Sequence, residues 1–276
     1  MLIAIPGSSD LGGVLGFDAA RPDALLRTIR DRFGPFRHRH VLVPTPRHHA
    51  VEVREQAHVA VAADPAVRIG ILPLHHHALT LALIGRAVLA AELRPGGWTD
   101  PGQAVQLLLS LAARSRSLVW HPRLGTVSEP VTSLGERAAG LLPARSYLYE
   151  LGAPAVIPAR SGPGSASPDG WHVAGPPAPQ LRAGLGVLAV EPVDFSPYGR
   201  RPYAGRNSVE ITQLATTSAR PWTGPACDDC SATMVDGLCV FCGCGPVGAP
   251  DPQPAGDLAP AGVSTGTATT GTGVSA

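Results

Sequence analysis

Four short apolar runs, each ending on a proline, constrain this chain more than any other feature: LIAIP (2–6), VLVP (41–44), IGILP (69–73) and SLVWHP (117–122). Runs this short and this continuous read as strands buried on both faces. Helical patterns lie between them. Pro22–Phe33 sets Leu25, Leu26, Ile29 and Phe33 on one face, and Val51–Ala63 and Ala78–Leu93 follow. Pro101–Ser115 carries a stripe of Val105, Leu108, Leu109 and Ala112. A further helix is expected from Ser128 as N-cap, with Pro130 in its first turn and Val131, Leu134, Ala138 and Leu141 inward.

Strands alternating with helices dictate a parallel sheet with right-handed crossovers and helices on both faces. The expectation is therefore α/β: a Rossmann-like or flavodoxin-like three-layer domain over residues 1–152, with YLYEL (147–151) as a fifth strand. The dinucleotide fingerprint is missing, because Gly7, Gly12, Gly13 and Gly16 do not fit GxGxxG. From 153 to 222 the regularity breaks into an irregular β-rich extension, with strand candidates WHVAG (171–175), LGVLAVEP (185–192) and SVEITQL (208–214). SGPGSASPDG (161–170) reads as a hinge or loop. Residues 247–276 are Gly, Ala, Pro, Ser and Thr with almost no bulky apolar side chain, so the tail is expected to be disordered.

All five cysteines fall between Pro225 and Gly245, as Cys227-x2-Cys230, eight residues, then Cys239-x2-Cys242, with Cys244 just beyond. This pattern resembles the four-cysteine zinc ribbons and knuckles and defines a module over 223–246. The chemistry is geometric: each CxxC turn holds two thiolates about 3.5–4 Å apart, and two turns complete a tetrahedron at roughly 2.3 Å per sulfur. Gly243 suits the second turn; Ser231 stands in the first where glycine is usual, and the spacer is short. The resemblance implies a structural Zn²⁺ on Cys227, Cys230, Cys239 and Cys242, with Cys244 as alternate to Cys242. Disulfides, buried free thiols and a rubredoxin-like iron site are the competing readings. An odd count, clustered spacing and the lack of a secretory signal weigh against disulfides. A closed thiolate set leaves no position for a catalytic water. Chelation is expected to unfold the ribbon and spare the α/β domain.

Charge divides at the same place. Up to residue 220 the chain carries 22 arginines against 16 acids; beyond it there are five aspartates and no base. Asp228 and Asp229 lie inside the first knuckle, and a four-thiolate zinc centre is itself about −2, so the ribbon is excluded as a nucleic-acid module. A protein partner with a basic surface, the chain's own upstream domain included, suits it better. There is no lysine, which removes P-loop, kinase and Schiff-base chemistry. No signal peptide is apparent, and the apolar run Ala78–Leu93 is too short and carries Arg86, so a cytoplasmic protein with no membrane partner is expected.

In open parallel sheets ligands bind beyond the carboxyl ends of the strands. Placed there by the predicted strands are Ser8, Ser9 and Asp10; Thr45, Arg47, His48 and His49; His75, His76 and His77; and His121, Arg123, Thr126 and Ser128. Six of the ten histidines share this edge. Arginine forks, imidazoles and helix N-termini together suit a phosphate or carboxylate. His75, His77, His121 and Asp10 could instead hold a divalent ion, and ordinary solvated loop residues are the third reading. No GxSxG elbow surrounds Ser8 or Ser9. RRPYAGR (200–206) reads as a small nucleic-acid or phosphate patch, or as a solvated loop.

The reading that follows is a domain binding, or acting on, an anionic phosphate- or carboxylate-bearing small molecule. His121 is the candidate acid or base, and affinity is expected to rise as pH falls through about 6.5. The alternative is a non-catalytic adaptor that uses the ribbon and tail for protein docking.

Overall fold

The computed structural model describes residues 1–7, 11–33, 39–92, 100–121, 147–151, 156–158, 171–174, 181, 190–195, 208–216 and 223–243. The helix expected from Ser128, the hinge 161–170, the arginine-rich run 200–206 and the tail lie outside them.

Four strands form a parallel sheet in the order β2-β1-β3-β4: β1 (Leu2–Pro6), β2 (Leu15–Phe17), β3 (Arg39–Pro46) and β4 (Val67–Leu74). Three of the four apolar runs thus become neighbours. β2 carries too short a pattern, LGF, to be read from sequence. Helices α1 (Ala24–Phe33) and α2 (Ala50–Ala63) cover one face, where Leu25, Ile29, Val53 and Ala57 meet Leu2, Ala4, Val41 and Val43. Helices α3 (Ala78–Glu92) and α4 (Pro101–Ala112) cover the other, packing on Ile3, Ile5 and Leu42. Alternation along β1 accounts for both cores, since successive side chains point to opposite faces. The three-layer α/β expectation holds for this part.

The fourth apolar run does not join that sheet. β5 (Arg116–His121) lies in a second, six-stranded sheet with β6 (Tyr147–Glu150), β7 (Val156–Pro158), β8 (Trp171–Ala174), β9 (Val190–Val193) and β10 (Val209–Gln213). Its order is β7-β6-β5-β10-β8-β9, antiparallel except for β8 with β9. The correction has a simple cause: an apolar run states that a strand is buried, not which partner pairs with it.

The pleat sorts the second sheet into two unlike faces. Leu118, Trp120, Leu148, Trp171, Val173 and Ile211 form an apolar core with Leu181. The register puts Ser117, His121, Tyr147, His172, Glu210 and Thr212 on the opposite face. That polar face turns toward the parallel half, where Ser117 and Thr212 bond Thr80 at the start of α3. Phe195, just past β9, lies over Gly7 at the carboxyl end of β1, so close that a Cβ on Gly7 would stand 2.5 Å from its ring.

The cysteine segment belongs to the first core. Cys227, Ala232, Met234, Val235, Cys239 and Phe241 are buried in the same cluster as α3, α4, Ile3 and Ile5. Its dock is specific. Asp100 caps α4 by accepting from the amides of Gly102 (2.8 Å) and Gln103 (3.3 Å). The same carboxylate accepts from the amide and hydroxyl of Thr233 at 2.9 and 2.8 Å. Gly102 has no room for a side chain: a Cβ there would lie 1.8 Å from the Thr233 carbonyl oxygen. Over the sheet, Val240 and Phe241 press on Gly70, and the Phe241 ring meets His40 edge-on at 4.8 Å.

Asp100 thus serves a helix cap and an inter-element clamp at once. Asp100→Ala should cost roughly 2–4 kcal/mol, the sum of a lost cap and charge-assisted bonds. Thr233→Ala should cost less, because the cap survives. Denaturant unfolding of the two variants checks the order, and equal losses would show that the clamp carries the whole effect.

Candidate functional sites

The four cysteines are brought together by two turns of the same design. Ser231 follows the first pair with φ of 60° and Gly243 follows the second with φ of 70°. The amide of Ser231 bonds the Cys227 carbonyl (2.8 Å), and that of Gly243 bonds the Cys239 carbonyl (2.8 Å). Between the pairs, Val235 and Leu238 face each other across Asp236-Gly237, both at positive φ, as a two-residue hairpin requires. The four sulfurs lie within 4.8 Å of one another, with Cys230 Sγ 3.5 Å from Cys239 Sγ. This cluster can hold a metal ion such as zinc. Burial pushes the Cys239 thiol up to about 11 and raises Cys242 as well, so ionising the set at neutral pH needs a cation among the sulfurs. Cys244, the alternate ligand, lies outside the described residues.

The residues expected at the sheet edge are dispersed. Ser8, Ser9, Asp10 and Arg123 lie outside the described residues. Arg47 and His75 are exposed and close enough for the guanidinium to lower the imidazole pKa, after burial. His48 and His49 follow Arg47 in a short 3-10 turn, their rings 4.3 Å apart, with His49 buried. His76 and His77 turn inward instead. His77 is fully buried as the N-cap of α3: its Nδ1 accepts from the amide of Thr80 at 3.2 Å. Its Nε2 lies 3.1 and 3.0 Å from the carbonyl oxygens of Leu118 and Ile211, tying the helix to β5 and β10.

Sequence reasoning missed the partners of these histidines. The hydroxyls of Ser117, Thr80 and Thr212 form a chain with spacings of 2.6 and 2.7 Å. His76 Nδ1 is 2.8 Å from Ser117 Oγ, and its Nε2 bonds the Ala112 carbonyl at 2.9 Å. A serine 2.8 Å from an imidazole has the spacing of a nucleophile and base. Here Ser117 is 1% exposed and its hydroxyl is spent within the chain, so the group is a structural network. The signal for it was the alternation of Glu210 and Thr212 with Val209 and Ile211 along β10.

His121 does not stand on the parallel sheet's edge. It closes β5, cross-strand from Tyr147 on β6, on the polar face of the second sheet. His121 is 1% and Tyr147 6% exposed. Among the described residues neither ring nitrogen of His121 nor the Tyr147 hydroxyl has a hydrogen-bond partner. Burial lowers His121 to about 4, and burial likewise lowers His76 to about 4. Both are therefore neutral through pH 6.5, and the expected gain of imidazole charge there does not apply to them.

A cleft of about 220 Å³ opens beside the carboxyl end of β1 and the start of α1, lined by Gly7, Gly16, Asp18, Arg21, Arg27 and Thr28 among others. Its arginines are spoken for: Arg21 lies 3.6 Å from Asp18, and Arg27 bonds Asp23. Gln56 of α2 accepts from the Leu25 amide at 2.9 Å, which fills the end of α1.

No family model and no curated protein matches this chain. Among solved structures, a DegV family protein from Eubacterium eligens loaded with heptadecanoic acid is similar at TM-score 0.51 and 9% identity, over 78% of this chain and 99% of that one. The Fatty Acid Kinase (Fak) B3 protein of Streptococcus pneumoniae, loaded with linoleic acid, is similar at TM-score 0.50 and 10% identity, over 77% and 98%. The likeness is one of fold: a parallel sheet flanked by helices, joined to a mixed second sheet, is a DegV-like fold.

Two outcomes are expected. Because the ribbon shares the core of α3 and α4, chelating a metal held by the cysteines should lower the thermal midpoint of the whole body in one transition. This replaces the expectation of a spared α/β domain; a helical signal that melts unchanged after chelation would refute it. The second concerns acid. The unfolded chain protonates His76 and His121 near 6.5, while the folded state refuses the proton until about 4. Stability is then fully present above about 6.5 and lost as pH falls toward 4, by roughly 2 kcal/mol per histidine at pH 5. His121→Leu should flatten that slope, and an unchanged slope by denaturant unfolding would refute the assignment.

Proposed function

We propose that this body binds a carboxylic acid with a long apolar tail, its headgroup held on the polar face of the second sheet. The observation that carries the reading is the pair His121 and Tyr147. Two buried side chains, cross-strand neighbours, keep hydrogen-bonding atoms that no described residue uses. Leaving such atoms unpaired costs about 1–3 kcal/mol each, so a ligand that bonds them gains what the free protein forfeits. A neutral imidazole offers one N–H and a phenol one O–H, which together suit the two oxygens of a carboxylate. Both solved structures of like fold described above carry fatty acids, which supports the class of ligand.

In this reading His121 binds and does not transfer protons. The four cysteines hold Zn²⁺ in a closed, structural site, and reduced thiols of that kind fit the cytoplasm. Much of the ribbon's apolar surface is spent on its own chain, and among the described residues Leu238 and the acidic knuckle remain exposed for the partner of the adaptor alternative.

Mass spectrometry of lipids extracted from the purified protein should find a long-chain acid. His121→Leu and Tyr147→Phe should each weaken its binding about tenfold. A wild-type protein that carries no acid and is not stabilised by any long-chain acid would refute the proposal.

A further inference from the structure

Helix α3 runs for 15 residues with no acidic side chain in its first turn, although the positive end of a helix favours one. The acid is supplied from β10. Glu210 Oε2 accepts from the Leu79 amide at 3.2 Å, across 131 residues of sequence. The next amide, that of Thr80, donates to His77 Nδ1 at 3.2 Å. His77 Nε2 faces two carbonyl oxygens and so carries the ring proton, which leaves Nδ1 as an acceptor. Two adjacent helix amides are thereby matched to two adjacent acceptors, with Glu210 Oε2 3.4 Å from His77 Nδ1. Both side chains are sealed, at 0% and 1% exposure.

A carboxylate on the first amides of a buried helix occupies the position that helix termini elsewhere offer to free anions. We propose that Glu210 is a resident anion: it fills the anion site at the start of α3 and closes it to a ligand's carboxylate. It is thus a specificity determinant, leaving His121 and Tyr147 to receive the headgroup. The resident-anion part stands on the Glu210 geometry alone; the effect on headgroup placement rests on the acid-binding reading above.

The probe is sodium acetate against sodium chloride at equal ionic strength, read as thermal midpoint in the full chain. Glu210→Ala should lower the midpoint, and acetate at tens of millimolar should recover at least about half of the loss by entering the vacated space. Chloride should not, and wild type should respond to neither. An Ala variant indifferent to acetate, or a wild type equally responsive, overturns the proposal. Should the Ala variant not fold, Glu210→Gln decides: it fills the space without the charge, and a Gln variant as stable as wild type shows that no anion is needed. The ligand arm is separate. Glu210→Ala should raise the preference for a long-chain acid over its alcohol at least about tenfold, and an unchanged ratio, or no binding of either, overturns the exclusion. An acetate-responsive variant with no lipid bound to wild type keeps the resident anion and removes only the acid-binding reading.

Discussion

A helix whose first two turns are buried on every side cannot send its first amides to water, and α3 is that helix. Ala78 through Gly85 are all buried, with β1 and β3 on one side and α4 and the cysteine segment near the other. Apolar contact covers its flanks but cannot satisfy its N-terminus, where unpaired amides carry a penalty of about 1–3 kcal/mol each. The solution is imported. Glu210, Thr212 and Ser117 come from a different sheet, and His77 reaches back to the carbonyls of that sheet. Satisfying one helix end is therefore what positions the two halves of the molecule against each other. The pleat makes this possible, because a strand that alternates polar and apolar residues can serve an apolar core on one face and a polar junction on the other.

The cysteine segment answers a second requirement of the same core. The sheet and its helices leave apolar surface around Gly70 and the start of α4, and Val240, Phe241, Met234 and Val235 cover it. A segment so short has little core of its own, and a metal at its four sulfurs would supply the cohesion that chain length cannot. The dock uses one aspartate on the other side, Asp100, and neutral groups of the ribbon. At this dock the bonds run between a carboxylate and neutral donors rather than between opposite charges.

Much of this was legible in the sequence because it depends on local periodicity. Eight of the ten described strands and all four described helices fall where apolar runs and helical stripes place them. The four-cysteine cluster was legible because its spacing encodes its geometry. What was not legible depends on direction. HHH at 75–77 reads as three equal candidates, yet two steps along the chain separate exposed His75 from sealed His77, with half-buried His76 between them, because the chain turns inward as α3 begins. SLVWH reads alike in a parallel or antiparallel sheet, so its sequence does not tell that His121 belongs to the second sheet. Thr80 and Glu210, 130 residues apart in sequence, carry no pattern that announces their meeting at one helix end.

The histidines then change character as a group. Read from sequence they supply positive charge to an anion; buried, His76 and His121 are neutral and serve as directional hydrogen-bonding groups. The distinction decides what kind of ligand the junction can take. A site built on charge would accept any small anion and weaken with salt. One built on a neutral imidazole and a phenol discriminates by geometry, and derives most of its affinity from whatever apolar surface the rest of the ligand buries. A long apolar tail with a small polar head meets both conditions, whereas a nucleotide, whose phosphates need several cationic partners, meets neither. Among the described residues, Arg21, Arg27 and Arg116 are committed to Asp18, Asp23 and Glu150. The reading proposed above thus rests on the chemistry of the junction rather than on its charge.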